Sequence, residues 1–217
     1  MVKHQHILLF DFETTGLNAN VEQVIEVGAL LLEKKGDTYV TKEELSLLVQ
    51  ADKPLPAIIT NITKITDEML LRDGVTQQEA FEKLYHMMNQ KDTLLVAYNI
   101  LFDLSFLQAW MKKFDQPKAT ITHDILDVMA IYRDRHLYPH KLDSAVLKYH
   151  IEIPNTHRAL DDIKATYEVL KCMHEEKPNI SQYVNVIGFN PKYPVLSKMT
   201  HVKYVAQRGG YKEIEQS

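Results

Sequence analysis

The chain has 217 residues, a formal charge of −4 and the apolar and charged fractions of an ordinary globular protein, which suits one well-buried domain. That charge excludes a protein that coats nucleic acid by bulk electrostatics, while leaving room for one that holds a few phosphates through bound cations. The single cysteine, Cys172, excludes an intramolecular disulfide; with no cleavable leader pattern and no apolar run long enough for a bilayer, a cytoplasmic protein is expected.

Ile7-Leu8-Leu9-Phe10-Asp11-Phe12-Glu13 reads as an interior strand closed by the turn Thr14-Thr15-Gly16, because a short β-favouring apolar run bounded by turn residues has that character. Side chains alternate along a strand, so Asp11 and Glu13 share one face and Phe12 takes the other. Two like charges side by side on a central strand are unfavourable unless something neutralises them. Two readings stay open: a divalent cation on oxygen donors, Mg²⁺ or Mn²⁺ by ligand type, or a strand end emerging into solvent.

Val24 to Glu33 and Tyr39 to Gln50 continue as strands joined by the polar turn Lys34-Lys35-Gly36-Asp37, and the three strands predict an antiparallel meander. Pro54 and Pro56 end regular pairing. Thr66 caps a short helix, and Thr76 with Glu79 makes a capping-box pattern that opens a longer one through about Met88. Thr93 to Tyr98 is another strand, followed by a helix from Phe102 to Phe114 and a brief strand near Ile121. Further helices are predicted over Ile125 to Arg135, Leu142 to Tyr149 and Arg158 to Glu175, the last with Ala159, Leu160, Ile163, Tyr167, Leu170 and Met173 at helical spacing. This alternation predicts an α/β layered domain with a mixed sheet.

Two more segments carry acids in unusual company. Asp103 shares a helical stripe with Leu107, Trp110 and Phe114, so its carboxylate extends an apolar face; an acid in a first helical turn also complements the macrodipole. Beside it, Asn99 offers an amide to orient a ligand and Phe102 a ring to stack a base, although such rings more often belong to a core. In Thr156-His157-Arg158-Ala159-Leu160-Asp161-Asp162, Thr156 reads as a helix cap, with His157 at the mouth of the helix. Asp162 leans inward with Thr166, Val169 and Met173, while Asp161 sits on the more polar side. A neutral imidazole placed near a second acid suits proton abstraction close to neutral pH.

These segments together resemble the DEDDh exonucleases, the family of bacterial proofreading epsilon subunits, RNase T and oligoribonuclease. The matching motifs are Asp11-Phe12-Glu13-Thr14-Thr15-Gly16-Leu17, Asn99-Ile100-Leu101-Phe102-Asp103 and His157-Arg158-Ala159-Leu160-Asp161-Asp162, in family order over roughly Ile7 to Met173. The resemblance implies an RNase H-like fold with a five-stranded mixed sheet flanked by helices. It also implies hydrolysis of terminal phosphodiesters from 3′ ends, releasing nucleoside 5′-monophosphates. Asp11, Glu13, Asp103 and Asp162 would hold two Mg²⁺ or Mn²⁺ ions, with Asp11 bridging, and His157 would be the general base. Thr14, Thr15, Gly16, Leu17, Ile65, Asn99 and Phe102 would bind the terminal nucleotide. Many relatives carry Gly-Ile-Thr where this chain reads Lys64-Ile65-Thr66. The implied partners are single-stranded DNA 3′ ends, with RNA as the alternative substrate, and a DNA polymerase. The complete acid set favours an enzyme over a non-catalytic nucleic-acid-binding relative.

The resemblance divides the chain into an exonuclease domain at residues 1–177 and a C-terminal basic and aromatic extension at 178–217. There Lys192, Lys198, Lys203, Arg208 and Lys212 alternate with Tyr183, Phe189, Tyr193, Tyr204 and Tyr211. Such a pattern either holds single strands by phosphate contact and stacking or packs its aromatics on the domain and leaves its lysines solvated.

Overall fold

The run from His6 forms β1 (His6–Thr14), and each side chain from Ile7 to Phe10 is at most 1% exposed. The computed structural model describes residues 1–115, 119–153, 158–193, 195, 198–209 and 211–217. β2 (Val24–Lys35) and β3 (Thr38–Leu48) follow as the expected meander, with β2 antiparallel to both β1 and β3. Helices α1 (Ala57–Thr63), α2 (Asp67–Asp73) and α3 (Gln77–Met88) lead to β4 (Thr93–Ala97) and α4 (Ile100–Trp110). β5 (Ile125–Asp127), α5 (Val128–Arg135), α6 (Leu142–Lys148) and α7 (Ala159–Glu176) complete the main layers. The sheet order is β3-β2-β1-β4-β5, and β4 and β5 run parallel to β1. The expected five-stranded mixed sheet is therefore present.

Alternation on β1 decides which layer sees which residue. Leu8, Phe10 and Phe12 join the core built with α3 and α4, whereas Ile7 and Leu9 join the core built with α5 and α7. Burial of side chains this size is worth about 1.5–3 kcal/mol each. A slip of one residue would invert both faces, so the register is fixed. Asp11 and Glu13 keep step with Ile7 and Leu9 and fall on the α7 side.

Local signals held where the chemistry was specific. Thr66 accepts from the Met69 amide, and Thr76 and Glu79 exchange both bonds of the capping box. Four departures have clear causes. α1 begins directly after Pro56, the residue at its cap position, so the prolines that end the meander also lead into a helix. The strand expected near Ile121 lies instead at Ile125–Asp127, paired with Leu95–Ala97. Asp127 then caps α5 by accepting from the Met129 and Ala130 amides, which delays that helix from Ile125 to Val128. α4 starts at Ile100, earlier than predicted, and ends at Trp110, where a π-helical turn, Met111–Asp115, takes over. The fourth is a second, two-stranded parallel sheet, β6 (Val186–Phe189) with β7 (Lys203–Ala206), which no simple alternation announced.

This C-terminal segment packs against the β5 and α5 side. Tyr183 is buried and donates to Asp134 Oδ2 at 2.9 Å, the Ile214 amide donates to Asp134 Oδ1 at 2.7 Å, and Asn185 Nδ2 donates to Asp124 Oδ1 at 2.7 Å. Tyr193 and Tyr211 are exposed. Among the described residues, no helix is long and apolar enough to cross a membrane.

Candidate active site

β1 outruns its parallel partner. The β1–β4 ladder pairs His6 through Leu9 with Thr93 through Val96, while β1 stays paired with β2 as far as Thr14. Past Leu9 the β4 side of β1 is open, and the Phe12 amide there donates to Asp103 Oδ1 at 3.2 Å. An unsatisfied buried donor is worth about 1–3 kcal/mol against folding, so this bond fixes the first turn of α4 on β1, between Asp11 and Glu13. Asp103 is 1% exposed. The start of α4 is held from the other side by Asp127, whose Oδ1 accepts from the Asn99 amide at 3.2 Å. Asn99 takes a left-handed conformation, φ 69°, which asparagine tolerates better than most residues.

On the β2 side, Gly28 stands opposite Asp11 and Glu26 opposite Glu13. A Cβ on Gly28 would lie 2.6 Å from the Ala159 carbonyl carbon and 2.7 Å from the Leu160 nitrogen. The first turn of α7 thus rests on bare β2 backbone, an approach only glycine permits. Glu26 is 1% exposed. Its Oε1 accepts from Arg158 Nε at 2.7 Å and Nη2 at 2.6 Å, and its Oε2 accepts from the Ala159 amide at 3.1 Å. α7 is therefore pinned at its N-terminus by a buried carboxylate, which also complements the helix dipole.

This pinning brings Asp162 beside β1. One carboxylate oxygen from each of Asp11, Glu13 and Asp162 lies within 4.8 Å of the others. Burial, and after it the charges of Asp162 and Glu26, pushes the Asp11 carboxyl up to about 7. Burial, then Asp11, Asp162 and Glu26, raises Glu13 to about 9, with Arg158 acting in the opposite sense. Asp103 is raised well above the usual carboxylate range by burial and then by Asp11, against the stabilising Phe12 amide bond. Oxygen-only donors that crowd and desolvate each other in this way fit a hard divalent cation.

The structure thus brings together Asp11, Glu13 and Asp162, with Asp103 bonded to the backbone between the first two. His157, expected as the base, and Thr156, expected as the cap, lie outside the described residues. In the turn after β1, Thr14 Oγ1 donates to the Gly16 carbonyl and Thr15 Oγ1 to Glu22 Oε2, both at 2.6 Å. Leu17 is 86% exposed, and Phe102 is half-buried with its ring 5.1 Å from that of Phe106. Ile65 is placed differently: it is fully buried with Ile25 and Leu70, so its side chain serves the core. Lys64 sits at φ 62° as the C-cap of α1, a conformation that favours glycine. A groove of about 690 Å³ opens beside Thr15 and carries Lys53, Lys112 and Lys113 on its walls.

Glu26, Gly28, Arg158 and Asp127 were not singled out from sequence. Glu26 had a usable signal: an acid between Ile25 and Val27, the one charged residue in the stretch Val24 to Leu32 of β2.

Comparison with known proteins gives concordant results. The sequence profile of the RNase T exonuclease family matches residues 8–170. The chain is 30% identical over 188 residues to the DNA polymerase III epsilon subunit of Treponema pallidum, covering 81% of each protein. It is 32% identical over 179 residues to the PolC-type DNA polymerase III of Caldanaerobacter subterraneus, covering 80% of this chain but 12% of that protein. Among solved structures, a zinc-bound complex of E. coli exonuclease I with single-stranded DNA superposes with a TM-score of 0.73. At 17% identity, over 83% of this chain and 43% of that one, this likeness speaks for the fold, which is the RNase H-like one.

Proposed function

The chain belongs to the exonuclease family whose profile it matches over residues 8–170, and on that premise we propose that it removes nucleotides from the 3′ ends of single-stranded or frayed DNA as nucleoside 5′-monophosphates. The observation that carries this reading is the convergence of Asp11, Glu13 and Asp162 from β1 and α7 within 4.8 Å of one another. With Asp103, they would hold two Mg²⁺ or Mn²⁺ ions, whose Lewis acidity favours negative charge on the entering and leaving oxygens of an in-line displacement. Asp11 lies beside both Glu13 and Asp103, whose carboxyls its charge raises, and would be a ligand within reach of either ion.

His157 accepts the proton of the attacking water at an imidazole nitrogen, the usual side chain for a general base near neutral pH. It is joined in sequence to Arg158, whose guanidinium is held by Glu26. Thr14, Thr15, Gly16, Leu17, Asn99 and Phe102 receive the terminal nucleotide, with Leu17 against the base; Ile65, buried with its amide donated to Thr63 Oγ1, is left out of that set. The upstream strand runs in the groove beside Thr15. Lys53, Lys112 and Lys113 form no ion pair among the described residues and are available to phosphates. The polymerase III names of two relatives support a replicative, cytoplasmic setting with a DNA polymerase as partner.

The test uses single-stranded DNA and RNA of matched sequence, labelled at the 5′ end, with Mg²⁺ or Mn²⁺ and then with chelator. Expected are a ladder shortening from the 3′ end, nucleoside 5′-monophosphate as product, no reaction with chelator, and none in the folded Asp11→Asn variant. Shortening that survives chelation or the Asp11 change would overturn the metal reading. Preferential loss of the RNA would replace DNA by RNA as the substrate, and no shortening of either strand would leave a binding protein.

A further inference from the structure

The Glu26–Arg158 pair is an unusual investment next to a cluster of acids. A fifth carboxylate, 1% exposed and opposite Glu13, adds repulsion to a site already short of counter-charge; Glu26 raises both Asp11 and Glu13. It is retained in a place where it makes three bonds. Two come from the Arg158 guanidinium at 2.7 and 2.6 Å, and one from the Ala159 amide at 3.1 Å. All three donors belong to the residues that open α7. Asp162 lies on the first turn of that helix, and Gly28 removes the side chain that would hold the helix off the sheet.

We propose that Glu26 and Arg158 are positioning residues: their buried ion pair registers the start of α7 against β2, so that Asp162 meets Asp11 and Glu13 at cation-binding distance. The inference rests on the metal-dependent reading above and extends it to residues that donate nothing to the ion. Geometry and charge make opposite demands here, and that makes the idea testable. If Glu26 and Arg158 acted only through their charges, removing the anion would weaken cation binding and removing the guanidinium would strengthen it. If they act as a clamp, losing either partner weakens binding, on the scale of about 10- to 100-fold known for groups that orient metal ligands.

The experiment measures Mn²⁺ affinity by calorimetry on the full chain for wild type, Glu26→Gln, Arg158→Gln and the double variant, beside metal-free melting curves. Expected is a fall in Mn²⁺ affinity in both single variants, with the double variant no worse than the weaker single one, since the two act as a unit. Unchanged or tighter binding in Arg158→Gln overturns the proposal, as does a loss of melting temperature with Mn²⁺ affinity intact. Should Glu26→Gln fail to fold, Arg158→Gln decides alone, because its half-exposed guanidinium is tolerable to remove and the two accounts disagree on its sign. Because the readout is ion binding, a wild type that binds Mn²⁺ without cleaving DNA leaves the clamp intact and fails only the nuclease reading.

Discussion

The first turn of α7 lies directly on β2 backbone at Gly28, and replacing that glycine with alanine asks the site a direct question. The new methyl would sit 2.6 Å from the Ala159 carbonyl carbon, where carbon atoms need about 3.5 Å or more. Ile163 Cδ1, at 2.8 Å, can swing aside, but the two nearer atoms are backbone, the Ala159 carbonyl carbon and the Leu160 nitrogen, and these cannot. The start of α7 must retreat by about 1 Å. Overpacking of this kind destabilises by about 1–3 kcal/mol, which for a chain of this size lowers the melting temperature by several degrees. The functional loss should be larger in proportion, because Asp162 moves with the helix, and a misplacement near 1 Å costs on the order of 10²-fold in rate. The assay compares kcat on a single-stranded oligonucleotide at saturating Mg²⁺ for wild type, Gly28→Ala and a control, Gly36→Ala. Gly36 has φ 62° with nothing within 4 Å of an added Cβ, so its replacement strains a turn by about 1–2 kcal/mol far from any contact. Both variants should melt earlier and only Gly28→Ala should lose turnover. Wild-type turnover in Gly28→Ala, or equal losses in the two, would refute the claim that α7 is seated on β2 for the sake of Asp162.

The site acids also set a pH dependence. In metal-free protein, Asp11 near 7 and Glu13 near 9 keep protons that the unfolded chain, at 3.8 and 4.5, has lost. Folding stability therefore falls as pH rises from the acid range to about 9, and urea melts across that window should show it. Saturating Mg²⁺ should abolish the decline and add about 2.7 kcal/mol at a hundredfold excess over its dissociation constant; a flat metal-free profile would contradict the crowding of these carboxylates. Lys64→Gly relieves the φ 62° cap of α1 and should stabilise by about 1 kcal/mol, read as a higher melting temperature; a lower one would mean the lysine side chain outweighs the backbone strain. Replacing Lys53, Lys112 and Lys113 by glutamine should weaken binding of long oligonucleotides and flatten the log–log salt slope by about 2, the share of three phosphate contacts on a single strand. An unchanged slope would move the strand out of the groove.

What could be read from sequence was whatever combined a local chemical signature with a short range. The capping box at Thr76 and Glu79, the threonine cap at Thr66 and the three-strand meander all depend on residues within a turn or two of each other. Ile125-Leu126-Asp127 shows the limit. Three apolar-to-acidic residues ahead of a helical pattern look like its first turn, and only the parallel partner Leu95–Ala97 makes them a strand. β6 and β7 fail for the same reason at greater reach, since parallel neighbours are separated by a crossover and four-residue strands carry too little alternation to detect.

The site divides along a different line. Asp11, Glu13, Asp103 and Asp162 stood out because each is a charge where the pattern calls for an apolar side chain, and such a charge demands a partner. Glu26 satisfies the same criterion, yet its partner Arg158 lies 132 residues away, and a carboxylate in a strand carries no spacing that points to it. Gly28 is harder still, because its contribution is the absence of a side chain and becomes visible only once α7 is laid across β2. An acid buried in a strand and followed two positions later by glycine is nonetheless a joint signal. The acid must be neutralised from outside the strand, and the glycine marks where backbone can come close enough to do it. Applied to Val24-Ile25-Glu26-Val27-Gly28, that rule asks for a helix start bearing a cation. Arg158, in the segment that also carries Asp162, is the residue that answers it.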